Sequence, residues 1–180
     1  MSTHLLISPR ARTPRPCLFL DRDGILFNDT GYIGRYEDVT WIAGAKDLVR
    51  HFNRARWFVV VVTNQSGVSR GYFTMDDVNA LHQAMLDELN QDSLKIDAIY
   101  TCPYHPQGLV QAYCDDHYDR KPKPGMIEAA ISDLNIDASR SFLLGDKPSD
   151  VEAAHRAGMR GYLFPGGNLL CFAQENKLFP

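Results

Sequence analysis

The sequence predicts an α/β fold: a three-layer, Rossmann-like parallel sheet with helices on both faces. Short apolar runs rich in β-branched residues alternate along the chain with segments of helical periodicity. The chain has 180 residues, 44% apolar and 23% charged, which suffices for one sizeable core. We therefore expect residues 16–180 to form a single domain. Residues 1–15 carry arginines but no apolar segment of signal-peptide length, and we expect a flexible arm there.

Five apolar runs predict the strands, which are "CLFL", "WFVVVV", "IDAIY", "RSFLL" and "RGYLF". The helices are predicted between and after them, in "AGAKDLVRHFNRA", "TMDDVNALHQAMLDELNQ", "PGMIEAAISDLN" and "SDVEAAHRAG". Thr74 and Asp77 form a capping-box pattern at the start of the second helix, and Gly158 is suited to end the fourth. The apolar tail 165–180 is expected to pack on the core, with Cys171 as a core residue.

Composition limits the classes of partner. A net charge of -3 lacks the basic excess that non-specific nucleic-acid or membrane binding requires. The four cysteines are scattered and indicate no disulfide framework, which favours a reducing, cytoplasmic setting. We expect a monomer that binds a small-molecule substrate.

Two carboxylates follow the first strand. Asp21 and Asp23 come directly after "CLFL", and in extended backbone they would point the same way while Arg22 points to the other side. Such a pair requires a cation between the carboxylates or a division into acid and base. A solvated turn is the alternative for this triplet alone.

Polar residues also follow the other strands, and ligands of open α/β sheets bind at this edge. Thr63, with the neighbouring Asn64, Gln65 and Ser66, offers hydroxyl, amide and backbone donors suited to phosphate. Arg120 and Lys121 supply cations at the end of a loop, 102–124, whose length indicates a functional role. Asp146 follows the fourth strand and would bind Mg²⁺ together with Asp21, whereas Asp150 could also cap the next helix.

These motifs carry a resemblance. "DRDG", "VVTNQSG", "RKP" and "GDKPSD" resemble, in order and spacing, the four motifs of the haloacid dehalogenase (HAD) superfamily of aspartate-nucleophile phosphotransferases. With "DTGY" and "CPYHPQG" included, residues 16–158 are similar to its heptose 1,7-bisphosphate 7-phosphatases, and somewhat less to histidinol phosphatases.

The resemblance implies a role for each motif. Asp21 would be the nucleophile that forms an aspartyl-phosphate, and Asp23 the general acid and base, with its backbone carbonyl facing the Mg²⁺. Thr63 and Lys121 would hold the phosphoryl oxygens. Asp146 would ligate Mg²⁺, with Lys147 and Asp150 close by. The positions that match sugar-phosphate contacts are Asp29, Thr30, Gly31, Tyr32, Asn64, Gln65, Ser66 and Arg120.

One feature distinguishes this chain from larger members of the superfamily, which insert a cap domain, and another distinguishes it from the heptose phosphatases, which usually bind a structural zinc. The interval between Asp23 and Thr63 leaves no room for a cap domain, so we expect an open site. The family's structural zinc site is broken, because Tyr104 replaces a histidine and His117 and Asp119 replace two cysteines. A shifted Cys₂His₂ set remains for a tetrahedral zinc site, and a metal-free loop is the alternative. The shifted set consists of Cys102, His105, Cys114 and His117.

The leading functional hypothesis is an Mg²⁺-dependent phosphomonoester hydrolase that removes the 7-phosphate of a heptose 1,7-bisphosphate in carbohydrate metabolism. Histidinol-phosphate hydrolysis is the alternative within the same chemistry. A catalytically silent phosphate-binding module is the alternative from another class, since one fold hosts many functions.

Overall fold

The computed structural model describes residues 3–180 and contains one six-stranded sheet of order β1-β4-β3-β2-β5-β6. The first strand pairs antiparallel with the fourth, and all other pairings are parallel. The strands are β1 Thr3–Leu6, β2 Cys17–Leu20, β3 Phe58–Asn64, β4 Ala98–Cys102, β5 Phe142–Gly145 and β6 Arg160–Leu163. The predicted three-layer α/β fold is thus confirmed, with the first motif on a central strand.

Six helices cover this sheet. They are α1 Ala45–Arg54, α2 Ser66–Ser69, α3 Met75–Gln91, α4 Gly125–Leu134, α5 Pro148–Arg156 and α6 Leu169–Glu175. The predicted capping box is present at α3, where Thr74 and Asp77 bond reciprocally. Beyond α5, Gly158 adopts a positive φ of 76°, a left-handed conformation that suits a glycine ending a helix.

The core lies on both faces of the sheet because side chains alternate along each strand. Leu18 and Leu20 of β2 pack on one face with apolar residues of α1, α3 and α6. Cys17 and Phe19 of the same strand pack on the other face with α4 and α5. The central strands are buried on both sides, so their polar ends are the places where they can meet a ligand.

Each terminal segment differs from expectation in one respect: the first contains a strand, and the last has an exposed Cys171. Strand β1 lies within the segment 1–15 that we expected to be an arm. It was not predicted because its residues are half-buried or exposed and show no alternation. The tail forms α6, whose Leu169 and Ala173 are fully buried, as its apolar character suggested. The expectation for Cys171 was wrong, because its side chain is exposed on α6.

Within residues 3–180, every helix is too short or too polar to cross a bilayer.

Candidate active site

The carboxyl ends of β2, β3 and β5 meet the loop 103–124 around a cavity of about 290 Å³. This edge is where an open parallel sheet binds its ligands. Most of the residues predicted from the strand ends face this space. The lining consists of Asp21, Asp23, Asp29, Gly31, Tyr32, Asn64, Gln65, Ser66, Gly67, Lys121, Lys147, Ser149 and Asp150.

A buried cation joins two carboxylates at the cavity. Lys121 Nζ lies 3.0 Å from Asp21 Oδ1 and 2.8 Å from Asp150 Oδ1, and it donates to the carbonyl oxygen of Val62 at 2.8 Å. All three charged side chains are almost fully buried. Asn64 holds this segment of the loop in place through two hydrogen bonds to the backbone of Lys121. The sequence placed these groups at one site, and the structure brings them into direct contact.

The protonation of this cluster follows from burial and charge. Burial raises the pKa of Asp21 to about 7; Lys121 opposes the shift, while Asp150 and Asp23 add to it. Burial lowers the pKa of Lys121, but Asp150 and Asp21 outweigh this effect and the net shift is upward. Lys121 therefore stays cationic and favours the ionised form of Asp21, the form a nucleophile requires.

Asp23 is held by a network that the sequence did not predict. Its two carboxylate oxygens accept hydrogen bonds from Arg22 Nε at 2.8 Å and Nη2 at 2.9 Å. Gln65 Nε2 donates to Asp23 Oδ2 and to Thr63 Oγ1, both at 2.9 Å. The expectation that Arg22 points away from the carboxylates was wrong, because the extended strand ends at Leu20 and the chain turns at this residue.

Behind this network lies His82, which is 2% exposed on α3. Its Nε2 is 3.2 Å from Arg22 Nη1. Burial, assisted by Arg22, holds the pKa of His82 well below its usual range. The neutral imidazole can therefore accept a hydrogen bond from the guanidinium.

His82 predicts a pH dependence of stability. The unfolded chain binds a proton at His82 below about pH 6.5 and the folded chain does not, so the free energy of unfolding falls as the pH drops below that value. Below about pH 6.5, we expect the free energy of unfolding of wild type to fall, relative to that of His82→Gln, by up to about 1.4 kcal/mol per pH unit. Urea unfolding at about pH 7.5 and about pH 5.5 measures the difference. An unchanged difference between the two proteins would contradict this assignment.

Asp146 completes an acidic group suited to a metal ion. Carboxylate oxygens of Asp21, Asp146 and Asp150 lie within 4.8 Å of one another. Asp146 Oδ1 is buried without a hydrogen-bond partner. Gly24, with a φ of 88°, leaves the carboxylate its space, because a Cβ there would lie 2.3 Å from it. An oxygen donor set with one unsatisfied buried atom fits a hard cation such as Mg²⁺.

Asp150 caps a helix, which was one of the two roles that the sequence left open, and it also pairs with Lys121. Its Oδ2 accepts the Lys147 backbone N–H at 3.0 Å, which caps α5. Its Oδ1 pairs with Lys121, so both oxygens are engaged. Asp21 and Asp146 are therefore the carboxylates freer to ligate a metal, and Asp150 positions the lysine.

The predicted sugar-phosphate residues divide into two groups. Asp29, Gly31 and Tyr32 line the cavity, and Asp29 pairs with Lys147 at 3.0 Å. Tyr32 has a φ of 35°, a strained left-handed conformation that persists only where its surroundings fix it. Thr30 is exposed and lies outside the lining. Thr63, which the resemblance places at the phosphoryl oxygens, is buried outside the lining, and its Oγ1 accepts a hydrogen bond from Gln65.

The loop 103–124 carries Arg120 next to the cavity but outside its immediate lining. Arg120 Nη1 donates to the carbonyl oxygen of Tyr104 at 3.1 Å. The loop docks on α2, where the backbone N–H groups of Leu109 and Val110 donate to Ser69. Arg120 is thus anchored by protein contacts that leave the rest of its guanidinium free for a ligand.

The structure does not support the shifted zinc set. Cys114 Sγ donates to the carbonyl oxygen of Pro106 at 3.5 Å, and the ring of His117 stacks on Tyr104 with centroids 4.3 Å apart. His105 faces the guanidinium of Arg70 at 3.4 Å, which disfavours a metal cation there. Cys102 is buried in the core cluster on the α4 side. Among residues 3–180, the donor group with metal-ligand spacing is the acidic one described above.

The mostly parallel sheet, the paired Asp21 and Lys121, and the acidic group beside them agree with the HAD-type phosphotransferase that the sequence motifs predict. A family model described as HAD-hydrolase-like matches residues 118–170. The chain is 44% identical over 161 residues to D-glycero-beta-D-manno-heptose-1,7-bisphosphate 7-phosphatase of Rhodopseudomonas palustris, and the match covers 89% of each chain. It is 40% identical over 144 residues to the enzyme of the same name from Escherichia coli K12, covering 80% of this chain and 75% of that one.

A solved structure agrees with these relatives. D,D-heptose 1,7-bisphosphate phosphatase of B. bronchiseptica, crystallised with magnesium and phosphate, superposes with a TM-score of 0.76 at 30% identity. The match covers 92% of this chain and 88% of that one. The chain therefore belongs to the heptose bisphosphate phosphatase family of HAD hydrolases, and it is a phosphatase.

Proposed function

We propose that this phosphatase removes the 7-phosphate of D-glycero-D-manno-heptose 1,7-bisphosphate with Mg²⁺, through an aspartyl-phosphate on Asp21. The observation that carries the proposal is the buried Asp21, paired with Lys121 at 3.0 Å on an open cavity of about 290 Å³. The relatives' names supply the substrate.

In the first step, a carboxylate oxygen of Asp21 attacks phosphorus, and the bond from phosphorus to the sugar oxygen breaks. Asp23 gives that leaving oxygen a proton. Water then attacks the same phosphorus as Asp23 takes one of its protons, and the bond to Asp21 breaks to release phosphate. Asp23 must leave part of its contact with Arg22 to carry that proton, because both of its oxygens accept hydrogen bonds in the structure.

Asp21 and Asp146 would hold Mg²⁺, with the backbone carbonyl of Asp23 as a further candidate. When bound, the ion neutralises charge between the carboxylate and the phosphoryl group. Lys121 supplies a second, permanent positive charge from the chain itself. Asp150 keeps this lysine in place from the opposite side.

The substrate is selected by loops, since no cap domain covers the site within residues 3–180. Asp29, Gly31 and Tyr32 form one wall of the cavity, and the loop 103–124 with Arg120 lies nearby. This arrangement suits an extended phosphorylated sugar, whose reacting phosphate sits at Asp21 while its other end meets the loops.

Phosphate release with Mg²⁺ tests the proposal on both anomers of heptose 1,7-bisphosphate, histidinol phosphate and an aryl phosphate. We expect one bisphosphate to exceed the others in kcat/KM by at least about 100-fold. Preference for histidinol phosphate would replace the proposed substrate. No release from any compound, by a folded protein, would favour the silent phosphate-binding module.

Arg120→Gln provides a second test of substrate recognition. We expect its kcat/KM to fall by about 10- to 100-fold on the preferred bisphosphate, because a charged hydrogen-bond donor is lost. The loss on an aryl phosphate should be much smaller. Arg54→Gln, in the exposed last turn of α1, is the matched control. Equal losses on both substrates would assign Arg120 to the chemistry rather than to recognition.

A further inference from the structure

We propose that Arg70 and His105 form, with Arg120, an anion-binding arm at the rim of the cavity that holds the phosphate not hydrolysed. The inference rests on the proposed bisphosphate substrate and adds two residues that neither the resemblance nor the comparisons assign. We call the side chains of Arg70, His105 and Arg120 the anion arm.

The hydrogen bonds of His105 leave two donors facing each other. Its Nδ1 accepts the backbone N–H of Gln107 at 3.0 Å, so the neutral imidazole carries its proton on Nε2. That Nε2 lies 3.4 Å from Nη2 of Arg70. The guanidinium nitrogen can also donate a hydrogen bond but cannot accept one. Two donors at this distance do not bond to each other, and an anion between or beside them would accept from both.

The charges of the anion arm are uncompensated. Within the described part of the chain, neither Arg70 nor Arg120 forms an ion pair with a carboxylate, whereas most other half-buried cations do. Arg70 Nε is buried and has no hydrogen-bond partner. Burial lowers the pKa of His105, and the charges of Arg120 and Arg70 lower it further, so a neutral imidazole lies beside two guanidinium groups that repel each other. A dianionic phosphate would relieve this repulsion and satisfy the orphaned donors.

The anion arm is continuous with the catalytic cavity. Arg70 ends α2, and its backbone N–H donates to Ser66, which lines the cavity. Its guanidinium carbon lies 5.9 Å from the ring centroid of Tyr32, another lining residue. Tyr32 packs edge-on against the exposed Tyr72 at 4.7 Å. These aromatic rings give a sugar an apolar surface between the reacting phosphate and the anion arm.

The arm separates recognition of a second phosphate from the chemistry at Asp21. Lys121 and Asp146 act on the phosphate that is hydrolysed, whatever the rest of the substrate. A sugar with one phosphate would use Asp21 but not Arg70, whereas a bisphosphate would use both. The prediction therefore concerns the ratio of kcat/KM for heptose 1,7-bisphosphate to kcat/KM for heptose 7-phosphate.

We expect Arg70→Gln to lower this ratio by about 10- to 100-fold, mainly through a higher KM for the bisphosphate. His105→Ala should lower it by about 3- to 10-fold through the loss of one neutral donor. Arg54→Gln, in the exposed last turn of α1, should leave it unchanged. Thermal unfolding verifies that each variant is folded. An unchanged ratio in folded Arg70→Gln, or equal losses on both substrates, would overturn the inference.

A failure of the proposed substrate would look different. Wild type would then show no preference for heptose bisphosphate over heptose 7-phosphate. The anion arm is in that case tested by binding of fructose 1,6-bisphosphate and fructose 6-phosphate to Asp21→Asn and to Asp21→Asn/Arg70→Gln. The anion arm is supported if Asp21→Asn binds the bisphosphate more tightly than the monophosphate and Asp21→Asn/Arg70→Gln binds both equally. Equal binding of both sugars to Asp21→Asn would contradict it.

Discussion

Replacement of Asp21 by asparagine is expected to lower kcat/KM by at least about 10⁴-fold, since it removes the proposed nucleophile. The amide is nearly isosteric with the carboxylate, so the packing around it can be kept. The fold should persist because Lys121 keeps its ion pair with Asp150, and the substitution removes the repulsion of Asp21 by Asp150 and Asp23. Initial rates on the preferred substrate and on an aryl phosphate measure the loss.

Asp87→Asn serves as the control, because Asp87 is an exposed residue of α3 that accepts a hydrogen bond only from Gln83. It should retain the wild-type rate. A folded Asp21→Asn protein with more than about one hundredth of the wild-type rate would rule out covalent catalysis by Asp21.

Lys121→Met is expected to have the largest effect on stability. It leaves the carboxylates of Asp21 and Asp150 buried without their shared cation. Removing one partner of a buried ion pair typically costs about 3–5 kcal/mol. The rate should also fall by about 10²- to 10³-fold, because the charge facing the phosphoryl group is lost. Urea unfolding and initial rates measure the two effects.

The loss of stability should depend on pH. Without the lysine, nothing opposes the effect of burial and of the Asp150 charge on the pKa of Asp21, which rises further, so the folded variant takes up a proton more readily as the pH falls. The difference in the free energy of unfolding between wild type and Lys121→Met should therefore become smaller as the pH falls from about 7.5 to about 5.5. Lys123→Met on the same loop is the matched control: it removes only the surface pair with Asp116 and should cost less than about 1 kcal/mol. Similar losses in both variants would contradict the role given to Lys121.

The sequence could predict which residues meet at the site. Asp21 and Asp146 follow parallel strands and Thr63 lies near the end of another, and the carboxyl ends of such strands share one edge of the sheet. Lys121 was found through its motif at the end of the long loop. The pattern of apolar runs likewise predicted the parallel strands and the helices on both faces.

The orientation of side chains around the site could not be predicted from motifs. Arg22 turns back to Asp23 because the strand ends before it. Asn64 and Gln65, which were expected at the substrate, line the cavity, but the motifs did not indicate that their amides also bond to Lys121 and Asp23. Each of these contacts depends on how the chain turns after a strand, which hydrophobic periodicity does not encode.

Long-range contacts also carry little sequence signal. Arg70 and His105 are far apart in the chain and meet only because the loop 103–124 docks on α2. Strand β1 pairs at the edge of the sheet with side chains largely exposed, so it lacks the apolar pattern of a strand. The two zinc-like C-x-x-H pairs had the right spacing in sequence, but the fold turns their side chains to other partners.

The central claim is that the phosphoryl group is transferred to Asp21 before it is released. Chemical trapping of the aspartyl-phosphate tests this claim most directly. Asp23→Asn should slow both steps, but an aryl phosphate loses its leaving group without a proton, so the phosphorylated protein should accumulate from that substrate. We would mix this variant with that substrate and Mg²⁺, quench with acid, reduce with borohydride and map the peptides by mass spectrometry. We expect homoserine at position 21, which is the reduction product of an aspartyl-phosphate. Unmodified Asp21 in a variant that still turns over, or a label on another residue, would contradict it.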